Sequence, residues 1–128
     1  MTRHTLTGRT VALALMMALA ACNNSLSEPG ESGTRWNANE TATDTRNGVN
    51  LTISYNATTQ RFAGSVTNTT GSTVTDVRVE IHLSNGTELG PTPRVDLNAQ
   101  ETQPVTLDAS GQTFDWYSIH VEIGSSSG

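Results

Sequence analysis

The chain of 128 residues has few or none of several residue types, and each shortage excludes a class of protein. It contains no lysine, and its seven basic residues, all arginine, are outnumbered by twelve acidic ones. Nucleic-acid binding depends on clustered positive charge, so the composition excludes a typical nucleic-acid-binding protein. The single cysteine, Cys22, excludes an internal disulfide and a thiol-rich metal site. Only 15% of its residues are charged, so the chain also differs from intrinsically disordered proteins whose high charge prevents folding.

The N-terminus has the pattern of a secretory signal. Arg3 and Arg9 precede an apolar run, Val11 to Ala21, that ends in small residues. The run is shorter than the roughly 20 apolar residues that a transmembrane helix needs. Residues 1–21 are therefore predicted to be a signal peptide that is removed from the mature protein.

The end of this segment, Leu19-Ala20-Ala21-Cys22, resembles the lipobox of bacterial lipoproteins. The resemblance implies cleavage before Cys22 and attachment of a diacylglyceryl group to its sulfur, with acyl chains such as palmitate anchoring the protein to a membrane. Several acyl chains, at ~0.8 kcal/mol per buried CH₂, make such an anchor almost permanent. The alternative is a plain secretory signal in which Cys22 lies near the cleavage site by chance. Asn23 stands where an Asp usually marks inner-membrane retention, so the outer membrane is expected in a Gram-negative host.

Residues 22–47 are predicted to be the lipidated Cys22 followed by a flexible polar tether. Ser, Asn, Glu, Gly and Thr dominate this segment, and it has neither helical nor strand periodicity. A flexible chain of this length reaches about 25–30 Å. Trp36 is the exception, and two interpretations stay open: it packs at the edge of the domain or lies exposed, or it anchors a partner protein.

Residues 48–124 carry the alternation of apolar and polar residues that is typical of β-strands, whereas residues 125–128 form a Ser/Gly tail. About seven short strands, each with one polar face, predict an all-β fold: a small immunoglobulin-like antiparallel β-sandwich. A closed barrel is the alternative. Asn85-Gly86 predicts a tight hairpin. The core is predicted to include Val79, Ile81, Ile119 and Val121, while Arg78, Glu80, His82 and His120 are predicted to face outward.

The order of features from Arg61 to Gly124 resembles the FxLYD-domain family of small bacterial β-sandwiches. The family's aromatic strand leading into G-x-V-x-N corresponds to residues 62–68, its V-x-V-x-V strand to residues 77–81, and its final Y-x-x-x-V strand to residues 117–121. The naming motif falls on Ile81-His82-Leu83-Ser84-Asn85, in which only Leu83 is identical to the family pattern. The resemblance implies a sandwich fold in the cell envelope, often on a lipoprotein, and it transfers no catalytic residues.

The sequence lacks the common catalytic motifs, so the protein is predicted not to be an enzyme and to need no cofactor. It contains no G-x-S-x-G, no phosphate-binding loop and no H-E-x-x-H. The histidines left after cleavage are His82 and His120, both at outward strand positions. If their strands pair, the two imidazoles share a face with Glu80 and Glu122, and such groups bind Zn²⁺ or Cu²⁺. The alternative is a set of solvated cross-strand polar pairs.

These patterns predict a membrane-anchored envelope lipoprotein that presents a small non-enzymatic β-sandwich as an interaction or structural module. Its partner is expected to be an envelope or extracellular protein that docks on a sheet edge or a loop. The alternative function is a metal-binding or small-ligand-binding module that uses the face of His82 and His120.

Overall fold

The computed structural model describes residues 33–124, which form two antiparallel β-sheets packed face to face. The predicted all-β sandwich is confirmed, and the two sheets are separate rather than closed into a barrel. No helix in this range is long and apolar enough to cross a membrane. The predicted signal peptide, the lipidation site Cys22 and the Ser/Gly tail lie outside the described residues.

Residues 33–124 contain nine strands, against about seven expected from the alternation. The strands are β1 (Trp36–Asn37), β2 (Thr41–Arg46), β3 (Val49–Asn56), β4 (Arg61–Asn68), β5 (Val74–Leu83), β6 (Glu88–Leu89), β7 (Val95–Leu97), β8 (Thr102–Asp108) and β9 (Trp116–Ile123). One sheet has the order β2-β3-β4-β8. The other has the order β1-β9-β5-β6, and β7 also pairs with β5.

The core lies between the two sheets and is built from the inward residues of each strand. The predicted core residues Val79, Ile81, Ile119 and Val121 are each 4% exposed or less, as the alternation required. Two aromatic side chains, Phe62 and Tyr117, are fully buried, with ring centroids 4.9 Å apart in an edge-to-face arrangement. Such pairs add about 0.5–1.5 kcal/mol to the burial of apolar area.

One buried amide ties the two sheets together at an end of the sandwich. Asn68 closes β4, and its Nδ2 donates to the carbonyl oxygen of Leu97 in β7 at 2.9 Å. The same nitrogen lies 2.8 Å from the carbonyl oxygen of Ser72, and Oδ1 accepts from the Thr70 N–H at 2.9 Å. Because Asn68 is fully buried, these bonds replace the water that its amide loses on folding.

The predicted hairpin at Asn85-Gly86 is confirmed, with a loop one residue longer than the tightest type. Leu83 receives a hydrogen bond from the Gly86 N–H at 2.9 Å and donates to the Thr87 carbonyl at 2.8 Å. Gly86 has φ of +87°, while Asn85 stays at negative φ. This is the three-residue loop in which glycine takes the left-handed position.

The prediction that the tether extends to residue 47 is wrong for the strands β1 and β2. All six residues of β2 pair with β3, from Thr41 opposite Ser54 to Arg46 opposite Val49. Ala42 is fully buried in the core. The domain therefore includes residues that the sequence analysis placed outside it.

The physical reason is that β2 buries little apolar surface, so its hydrophobic pattern is almost absent. Its sequence alternates threonine with Ala42, Asp44 and Arg46, and the backbone ladder to β3 supplies most of its pairing. Asn47 and Gly48, with φ of +48° and +78°, form the two-residue turn between the strands. Asn-Gly is the strongest short-range hairpin signal, and it would have revealed β2 in the sequence.

The alternation of apolar and polar residues predicted correctly that Arg78 lies on the outer face, but it did not predict how little of the side chain is exposed. Arg78 lies on the outer face of β5, yet it is only 9% exposed. Its guanidinium lies 3.6 Å from the carboxylate of Glu122, the residue opposite it on β9. Long side chains at neighbouring outward positions cover one another, so an outward position need not be a solvated one.

Candidate functional site

The outer face of β5 and β9 brings the two candidate histidines into contact. His82 is paired with Ser118 and His120 with Glu80, so the imidazoles are diagonal neighbours across the ladder. Their ring centroids are 5.0 Å apart, and the rings are nearly perpendicular. The sequence prediction that these two side chains share a face is confirmed.

Two carboxylates flank His82 of this pair. His82 Nε2 lies 3.9 Å from Glu80 Oε2, and His82 Nδ1 lies 4.0 Å from Glu88 Oε2 on β6. Burial raises the pKa of Glu80 above its usual value, and repulsion from Glu88 and Glu122 raises it further; His82 and Arg78 act in the opposite direction. The face therefore concentrates charge of both signs on a half-buried surface.

The described residues do not assemble a metal site of the usual kind from this face. In residues 33–124, no group of three or more His, Cys, Asp or Glu side chains is arranged to hold a metal ion. The two imidazoles pack edge to face on each other, with ring planes 81° apart. The arrangement fits cross-strand polar pairing, in which each side chain stabilises its neighbour by a fraction of a kcal/mol, about 0.2–1.

A groove opens at the corner where β2 meets the edge of β9. We call it the corner groove; it has a volume of about 240 Å³ and its lining includes Gly33, Thr34, Trp36, Asp44, Arg46 and His120. The chain passes close to His120 here, because a methyl group added at Gly33 would lie 3.1 Å from His120 Cε1. The start of the described chain thus forms one wall of the groove.

Trp36 lies in β1, paired with Tyr117, and packs against the core while lining the corner groove. Packing at the edge of the domain, one of the two interpretations of this residue, is therefore observed. Its role as an anchor for a partner stays a prediction.

Side chains from β2 close the other side of the corner groove by binding the backbone of β9. Asp44 Oδ2 accepts a hydrogen bond from the Val121 N–H at 3.0 Å, and Arg46 Nη1 donates to the Val121 carbonyl at 3.3 Å. Further along, the Tyr117 hydroxyl donates to the Glu40 carbonyl at 2.6 Å. Sequence reasoning missed these contacts because it placed all of β2 in the tether.

A second opening lies at the opposite side of the sandwich, between β8 and the segment that leads into β7. It has a volume of about 230 Å³, and valines of the core form its floor. Pro93 and Pro104 form its rim. Arg78 also lines it, so it is a small, mainly apolar cleft with a cationic side chain in its wall.

Comparison of the chain with protein-family models, with curated proteins and with solved structures gave no match. The resemblances to bacterial lipoproteins and to the FxLYD-domain family therefore stay predictions made from the residues.

Proposed function

We propose that the protein is a lipid-anchored lipoprotein of a bacterial cell envelope that presents a non-enzymatic β-sandwich for docking or structural support. The observation that carries the proposal is the segment Leu19-Ala20-Ala21-Cys22, in which the only cysteine stands at the position that the lipobox uses. The sandwich supplies the folded module, and the lipid would fix it to a membrane.

The position of the fold along the chain supports this arrangement. The first described residue, Gly33, follows Cys22 so closely that even a fully extended chain would hold it within about 40 Å of the lipid. Residues 22–128 carry five arginines against twelve acidic side chains, so they are poorly suited to bind anionic headgroups through basic patches. The lipid alone would provide the membrane affinity.

A non-enzymatic role is supported by the chemistry of the candidate face. His82 and His120 contact each other and lie beside carboxylates, an arrangement unlike the pairing of a nucleophile with a general base. The corner groove and the adjoining edge of β2 offer backbone groups and a half-buried aromatic, Trp36, which are features that peptide segments bind.

The test of the anchor is the substitution Cys22→Ser in the full chain expressed in a bacterial host. Labelled palmitate should be incorporated into the wild-type protein and not into the variant, and the variant should move from the membrane fraction to the soluble fraction. Ser25→Ala, a small change three positions away, is the control and should leave both results unchanged. Membrane association of Cys22→Ser equal to that of the wild type would contradict the proposal.

The proposed outer-membrane location has a separate test in a Gram-negative host. Asn23→Asp should redirect the lipoprotein to the inner membrane, which density-gradient fractionation detects. A wild-type protein that fractionates with the inner membrane would contradict this part of the proposal and leave the lipid anchor intact.

A second candidate function is the binding of a metal ion or small ligand at the face of His82 and His120. The observation that favours this function is the contact between the two imidazoles, with Glu80 beside His82. Calorimetric titration of the full chain with Zn²⁺ tests it. Saturable binding that is lost in both His82→Gln and His120→Gln would support this function, and the same affinity in both variants would exclude it.

A further inference from the structure

Three of the four sheet edges in residues 33–124 are blocked against pairing with another strand. The edge of β8 carries Pro104, which has no N–H to donate. The edge formed by β6 and β7 consists of two short strands with Pro91 and Pro93 between them. The edge of β9 is covered by β1 and by the side chains of β2 that bind Val121. Natural sheets use such devices to prevent edge-to-edge association.

The remaining edge, that of β2, has no proline and no strand pairing along it in residues 33–124, although its inward positions carry the charged side chains of Asp44 and Arg46. β2 runs for six residues without proline or lysine. Arg46 and Val49 flank a two-residue turn, so they form a hydrogen-bonded pair, and alternate residues of β2 bond to β3. The intervening residues direct their N–H and C=O groups away from β3, and we call these groups the open edge. They are the N–H and C=O groups of Thr41 and Thr43 and the C=O of Thr45. The Thr45 N–H donates instead to Asp44 Oδ1 at 2.9 Å.

The side chains along the open edge are exposed threonines on the outer face of the sheet. In residues 33–124 no strand other than β3 pairs with β2, and the corner groove, which Thr43 and Thr45 line, separates this edge from β1. A six-residue strand with unpaired backbone groups is a template for strand addition.

The sequence of β2 is complementary to itself when a second copy approaches antiparallel. With Thr43 opposite Thr43, each Thr41 lies opposite Thr45 of the second copy, so every residue whose backbone faces the open edge meets a residue of the same kind. Threonine pairs on one face of a sheet stabilise the pairing through hydrogen bonds between hydroxyls. Glu40 precedes β2 and its carboxylate accepts from the Asn37 N–H, and Arg46 binds the Val121 carbonyl, so the complementarity lies in the threonines.

We propose that the open edge of β2 binds the same edge of a second copy of this chain, which joins two four-stranded sheets into one continuous sheet. The inference rests on the proposed function only in that the sandwich acts by docking, and it is independent of the lipid anchor. Antiparallel self-pairing produces a two-fold symmetric dimer, the commonest form of homo-oligomer.

The test uses the full chain carrying Cys22→Ser, which removes its only thiol and with it any lipid. Residues opposite each other in a hydrogen-bonded antiparallel pair have Cα atoms about 5.5 Å apart, within the range that a disulfide spans. Thr43→Cys on this background should therefore form a covalent dimer under mild oxidation. Thr106→Cys is the matched control, because Thr106 is an exposed threonine on the other edge of the same sheet. It should remain monomeric.

Sedimentation of the same Cys22→Ser chain without further substitution should give twice the monomer mass of 13.6 kDa. Thr43→Pro removes an N–H of the open edge while leaving the bonds between β2 and β3, so it should give the monomer mass. If Thr43→Pro fails to fold, the comparison of Thr43→Cys with Thr106→Cys still tests the pairing of the open edge. A monomeric chain at concentrations of several hundred micromolar, or equal crosslinking of Thr43→Cys and Thr106→Cys, would overturn the inference. Either result leaves the palmitate test of the anchor unaffected.

Discussion

The carboxylate of Asp44 accepts a hydrogen bond from the backbone N–H of Val121 at 3.0 Å, across 77 positions of sequence. Arg46, two residues further along β2, donates to the carbonyl of the same valine at 3.3 Å. Side chains of one sheet thus satisfy the backbone edge of the other, where a neighbouring strand would otherwise bind. The inward positions of β2 therefore carry polar groups without leaving them unsatisfied.

Asp44→Ala should destabilise the domain by about 1–3 kcal/mol, because it leaves the Val121 N–H without its acceptor at a partly buried site. Chemical denaturation followed by circular dichroism measures this change. Asp115→Ala removes an exposed aspartate just before β9 and should change the free energy of unfolding by no more than about 0.5 kcal/mol. Equal effects of the two substitutions would mean that the Asp44 contact contributes nothing to stability.

Removal of residues 1–47 should disrupt the fold, since it deletes β1 and β2 with the buried Ala42 and the acceptor of the Tyr117 hydroxyl. We expect residues 48–128 either to be unfolded or to melt more than about 10 °C below residues 33–128. Thermal unfolding of the two fragments beside the full chain provides the comparison. A fragment 48–128 that melts with the full chain would restore the longer tether that the sequence suggested.

Val79→Asp should prevent folding or lower the free energy of unfolding by several kcal/mol. Val79 is 1% exposed, so the carboxylate of the introduced aspartate would have no partner in the core. A loss of that size is comparable to the whole stability of a small domain. Thr52→Asp, at an exposed position on the outer face of β3, is the control and should yield folded protein. Similar soluble yields and circular dichroism spectra for both variants would contradict the assignment of the inner faces.

Glu80→Gln should stabilise the domain at pH 7, because the pKa of Glu80 is raised above 4.5 by burial and by repulsion from Glu88 and Glu122. A raised pKa means that the folded chain holds this proton more tightly than the unfolded chain, so the wild type loses stability as the pH rises above 4.5. The two proteins should converge near pH 4 and separate towards pH 7, by about 1–3 °C in melting temperature.

Asp115→Asn, at an exposed position, is the control for removing one negative charge. A lower melting temperature of Glu80→Gln at pH 7 would indicate that attraction to His82 and Arg78 outweighs burial and repulsion.

The parts of the fold that bury apolar surface were predictable from the sequence. In β5 and β9, strict alternation reflects the burial of one face, and it located both the core valines and the shared face of His82 and His120. β2 was missed because its stability comes from backbone pairing and from Asp44 and Arg46, which leave no hydrophobic period. The corner groove could not be predicted, since it forms between residues far apart in the chain.

The bonds between β2 and β9 can form only after nearly the whole domain has been synthesised. Their partners, such as Asp44 with Val121 and Glu40 with Tyr117, are separated by nearly the full length of the domain. The hairpin of β2 and β3 is complete early in synthesis, but its inward polar groups have nothing to bind until β9 has been made. Closure of such long-range contacts makes folding slow. β9, the last strand in residues 33–124, therefore supplies the partners that the hairpin of β2 and β3 lacks.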